Sequence, residues 1–71
     1  MKFELMSLGH YNGPQFSNYK DAKEALRNAV NSSLVACKKR FGQAKKVKCG
    51  QDSYKIEFGV NIYSAYWIQA F

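Results

Sequence analysis

Seventy-one residues, 46% hydrophobic and 15% aromatic, supply one small core and are too apolar for a disordered chain. A domain this short buries only roughly 60% of the surface its unfolded chain exposes, so a deep enclosed substrate pocket beside the core is excluded, and with it an elaborate enzyme. Eleven Lys and Arg against five Asp and Glu give a net charge of +6, which favours polyanionic partners.

The segment from Lys2 to Leu8 alternates polar and apolar residues and then turns apolar on both faces at Met6 and Leu8. That pattern predicts a partly covered strand over residues 2–8. Gly9 to Phe16 holds two Gly, an Asn and the only Pro, so it reads as a loop whose Tyr11 and Phe16 fold back on the domain. Ser17 or Asn18 then suits a helix N-cap, with Asp21 and Glu24 where the helix dipole favours acids. At 3.6 residues per turn, Ala22, Leu26, Ala29, Val30, Ser33, Cys37 and Phe41 share one face. Lys38, Lys39 and Arg40 fill the last turn, and Gly42 suits the left-handed residue beyond it. Asn31-Ser32-Ser33 favours turns over helix interiors, which marks it as the place for a kink or a division into two shorter helices.

Ala44 to Cys49 reads as a short strand with Lys46 and Lys48 on one face and Val47 and Cys49 on the other. Gly50-Gln51-Asp52 turns the chain. Tyr54, Ile56, Phe58, Val60 and Ile62 alternate with Lys55, Glu57, Gly59 and Asn61, the pattern of a half-buried antiparallel strand. Gly59 and Asn61 mark a bulge or turn, and Tyr63 to Phe71 gives a last strand rich in aromatics. Together these elements predict an α+β fold over residues 1–71. One long helix packs on an antiparallel sheet of three to four strands, in the order β-α-β-β-β.

Catalytic chemistry is poorly supplied. His10 is the only histidine and lies far along the chain from Cys37 and Cys49, and the five carboxylates are scattered. Neither a dinucleotide fingerprint nor a P-loop is present, and two Cys with one His are too few for a structural zinc site. The expectation is a non-enzyme without cofactor or metal. The opening residues lack the pattern of a secretory leader and no stretch suits a membrane, so a cytoplasmic location with reduced thiols is expected. Both cysteines then read most simply as small core residues, with their pairing left open.

The charge is lopsided. Between Ala25 and Gln51 lie Arg27, Lys38, Lys39, Arg40, Lys45, Lys46 and Lys48 with no acid, while the flanking stretches are close to neutral. Helix-end compensation and protection of a sheet edge by lysines explain part of the cluster. Beyond that, several cations within one Debye length, about 8 Å at physiological salt, attract phosphate. Lys outnumbers Arg nine to two, which favours point-charge contacts over base reading. Tyr54, Tyr63, Tyr66 and Trp67 are candidates for base stacking or for hot spots, in competition with the needs of the core. An RNA-recognition motif and a double-stranded RNA-binding domain each call for a second helix, whereas the elements expected here include one, so neither module is expected.

Two readings follow. The first is a small binding protein that docks nucleic acid or a nucleoprotein surface through the basic cluster. The alternative is a phage-type inhibitor, such as an anti-CRISPR or host-takeover factor, that blocks a host nucleic-acid-processing complex through acidic protein side chains. A small enzyme built on His10 and Cys37 is a weaker third. Exposed edge strands also leave a homodimer through sheet extension open.

Overall fold

A computed structural model describes residues 1–9 and 13–71 of the chain. Among them are β1 (Phe3–Ser7), β2 (Gln15–Phe16), α1 (Tyr19–Phe41), β3 (Lys45–Gly50), β4 (Ser53–Gly59) and β5 (Ile62–Ala70). The strands form one antiparallel sheet in the order β2-β1-β5-β4-β3, and α1 lies across one face of it, mainly over β4, β5 and β1. At 23 residues the helix is about 34 Å long and sets the 39 Å long axis of the molecule. It is not apolar enough to cross a membrane.

The helix begins and ends where capping chemistry directs. Asn18 is extended (φ −135°, ψ 156°), and its side-chain oxygen accepts the Asp21 N–H at 2.8 Å. Gly42 takes the left-handed conformation at φ 78° and donates its N–H to the Lys38 carbonyl at 3.0 Å. The division into two shorter helices at Asn31-Ser32-Ser33 does not occur: α1 runs unbroken through it. Val30 before it and Cys37 after it are both buried against the sheet, and that anchoring exceeds the few tenths of a kcal/mol by which Asn and Ser disfavour helix.

Ala22, Leu26, Val30, Cys37 and Ile56 are the buried residues, with Leu5, Tyr54, Phe58, Tyr66 and Ile68 packed round them. Small residues on α1 let it approach the sheet while strand aromatics fill the gap. Phe41, placed on the buried face by helical periodicity, is 46% exposed and stacks on Phe58 at 4.7 Å instead.

The sheet has five strands where three to four were expected, because the Gly9–Phe16 stretch contributes β2. Gly13 makes this possible: a Cβ there would lie 1.6 Å from the Leu5 carbonyl oxygen. Its N–H donates to the Glu4 carboxylate at 3.0 Å, and the Leu5 N–H donates to the Pro14 carbonyl at 2.9 Å. Phe16 pairs with Phe3 and is half-buried, whereas Tyr11 and His10 lie outside the described residues. The β4–β5 hairpin turns through Val60 and Asn61, the latter at φ 59°, so the strand read as running to Ile62 stops at Gly59.

Candidate nucleic-acid interface

Helix geometry sorts the cations of α1 by direction. Steps of 100° per residue put Lys23, Arg27 and Lys38 on the flank of α1 that faces β3, about four turns of helix apart from first to last. On the strand side, Lys46 pairs with Ile56 and Lys48 with Tyr54. Ile56 is buried under the helix, so both lysines point to the helical side of the sheet, about 6.6 Å apart. Lys23 and Arg27 of the helix meet Lys46 of the strand in a cleft of about 140 Å³ lined also by Asn31 and Tyr54, with Leu26 and Val30 beneath. Two cations attend the Tyr54 ring: Lys23 Nζ and Lys46 Nζ each lie 5.9 Å from its centroid.

One cation of this flank is tied down. Lys23 Nζ donates to the Gln51 carbonyl at 2.6 Å and to Asp52 Oδ1 at 3.0 Å, and the Tyr19 hydroxyl donates to the same carboxylate oxygen at 2.5 Å. This clasp fastens the β3–β4 turn to the first turns of α1. Burial pushes the Asp52 carboxyl up, but hydrogen bonds from Tyr19 and Lys23 outweigh it and hold it below its ordinary value. The Asp52 hydrogen bond raises the Lys23 ammonium, and it raises the Tyr19 hydroxyl as well. The only other ion pair among the described residues is Lys55–Glu57 at 3.2 Å. Arg27, Lys38, Lys46 and Lys48 have no carboxylate partner among the described residues.

The seven cations grouped by sequence are therefore divided in space. Arg27, Lys38, Lys46 and Lys48 share the α1–β3 flank. Lys39 points away from the sheet beside a shallow groove with Asn31 and Val35, and Arg40 turns a further 100° round and lies over the Phe41 ring at 5.4 Å. Lys45, opposite Glu57, falls on the face of the sheet away from the helix. The aromatics divide likewise. Tyr54 lines the cleft, Tyr66 packs against the core cluster, and Tyr63 and Trp67 lie on the face away from the helix. Lys23 was missed because counting charge along the chain cancels it against neighbouring acids. Its four-residue spacing to Arg27 was the available signal.

Cys37 is buried and Cys49 is exposed, and both are free. Cys49 is thus an edge-strand residue, not the core residue its sequence context suggested. The chain matches no protein-family model, no curated protein and no solved structure.

Proposed function

We propose that this protein is a non-enzymatic binding module that docks the phosphate backbone of a nucleic acid along the α1–β3 flank. The observation that carries this reading is that Arg27, Lys38, Lys46 and Lys48, none in an ion pair with a carboxylate among the described residues, share the α1–β3 flank, where Arg27 and Lys46 line one cleft. Lysine and arginine rows on a helix and a strand present point charges at regular spacing, which suits a repeating polyanion and carries no base code. Tyr54 gives the groove an aromatic wall against which a base or sugar packs. Binding through this flank is sequence-tolerant and strongly dependent on salt.

Electrophoretic retardation of fluorescent single-stranded and duplex DNA, and of the corresponding RNAs, tests this. Four phosphate contacts give a log–log salt slope of about −2.8 for single strands to about −3.6 for duplex DNA, and weaken binding about 50- to 150-fold between about 50 and 200 mM salt. Absence of retardation at low salt would refute the reading. So would affinity indifferent to salt. An acidic protein partner that copurifies after nuclease digestion, from a protein that retards no nucleic acid, would favour the inhibitor reading instead.

A further inference from the structure

The sheet has a second face that the helix leaves open. Because Leu5, Tyr66 and Ile68 pack on the helical side, strand alternation turns Met6, Ala65 and Trp67 the other way. Register sets Met6 beside Trp67, and Ala65 beside Lys55, which in turn neighbours Val47. Leu8 donates its N–H to the Ala65 carbonyl and extends that row, and Tyr63 lies in the row beyond, opposite Glu57. A solvated face of an antiparallel sheet reads polar. The middle of this one is Met6, Leu8, Ala65, Trp67 and Tyr63, with Leu8 54% exposed.

We propose that this face is covered by the same face of a second copy of the chain, in a two-fold dimer whose helices point outward. Charge selects a copy of this chain over a nucleic acid. The open face carries Lys2, Lys45 and Lys55 against Glu4 and Glu57, so only one unit of the +6 lies there and the remainder lies on the helical side. Two such faces meet without the repulsion that two helical sides would impose. Lys55 is drawn aside, 3.2 Å from Glu57 and 5.3 Å from the Tyr63 ring centroid, which leaves the middle uncharged.

Area points the same way. The chain exposes 5062 Å², whereas a compact monomer of 8.1 kDa exposes about 4,500 Å². Four strands about 4.8 Å apart and five residues long give the open face a projected area on the order of 300 to 400 Å², more than half of that surplus. A footprint below the roughly 800 Å² per partner of a standard interface makes this a weak, transient dimer. Neither Trp67 nor its neighbours belong to the phosphate-docking flank. The dimer would carry one such flank on each outer side.

Sedimentation equilibrium of the full chain, free of nucleic acid, over about 1 to 500 µM tests the proposal. The mass is expected to rise from monomer to dimer, and the emission of Trp67, the only tryptophan, to shift to the blue in parallel. Ala65→Lys places a charge in the middle of the face without touching the core, and is expected to stay monomeric with unchanged circular dichroism. A native chain that remains monomeric across the range overturns the proposal, as does a dimer whose tryptophan emission does not move. A dimer that persists in Ala65→Lys places the interface elsewhere, such as the β3 edge, and overturns it too. Retardation of DNA by Ala65→Lys is read separately, so failure of the dimer leaves the phosphate-docking reading untouched.

Discussion

Asp52→Asn removes a charge from the clasp between the β3–β4 turn and α1 while keeping an oxygen that accepts from Tyr19. The Lys23 and Asp52 side chains are 37% and 28% exposed, so their pair is screened by solvent. It contributes about 0.5 to 1 kcal/mol, or about 2 to 8 °C in Tm for a domain of this size. The pH dependence has a definite sign. With the Asp52 carboxyl held below its ordinary 3.8, the folded chain binds fewer protons than the unfolded one as acid is added. The increment is complete above the unfolded value and is lost as pH falls through the folded one. Lys23 acts in the opposite direction: its raised ammonium holds stability below 10.5 and loses it as pH rises through the folded value. Thermal melts by circular dichroism over a pH series should show the variant less stable at neutral pH, with the difference closing once the carboxyl is protonated in both states. The substitution also releases Lys23 toward the groove, so DNA affinity should rise and the salt slope steepen by about one unit. Equal Tm values at neutral pH, a difference that survives into acid, or weaker DNA binding would refute this reasoning.

Ile56→Ala empties the position beneath Leu26 and Val30, and urea unfolding should show a loss of about 2 to 5 kcal/mol. That is a large share of the few kcal/mol expected for a chain of this length. Gly13→Ala forces a methyl into the Leu5 carbonyl, so β2 should detach. Hydrogen exchange would report it as lost protection of the Leu5 amide, with the β4 amides unchanged.

The parts of the fold legible in the sequence are those where one physical signal acts alone. Tyr54, Ile56 and Phe58 alternate along β4, and Asn18 and Gly42 bracket α1 by side-chain capping and left-handed geometry. A two-residue strand such as β2 has no period to read, and its cause, the missing Cβ of Gly13, becomes visible only once β1 is beside it. The helix continues through Asn31-Ser32-Ser33 because local preference is smaller than tertiary anchoring. In the candidate site, Arg27, Lys46, Lys48 and Tyr54 could be named from sequence, whereas their grouping could not. Neighbours along a strand alternate in direction, so Lys45 leaves the flank that Lys46 joins. Residues turned by 100° steps likewise scatter Lys38, Lys39 and Arg40. Lys23 lines the cleft beside Arg27, and its clasp with Asp52, 29 residues away, has no signal in the sequence. The two-sided apolar character of β1 at Met6 and Leu8 was legible and marks the face the helix leaves bare.

The most direct measurement compares charge reversal on the two sides of the sheet. In one variant Lys46 and Lys48 become Glu, and in the other Lys45 and Lys55 become Glu, so net charge changes equally. Fluorescence anisotropy of a labelled DNA is recorded across a salt series for both. Docking along the α1–β3 flank requires that the Lys46/Lys48 variant lose most affinity and flatten the salt slope by about two units, while the Lys45/Lys55 variant retains a near-native slope. Equal losses in both variants would mean that only overall charge matters, and a greater loss in the Lys45/Lys55 variant would place binding on the opposite face.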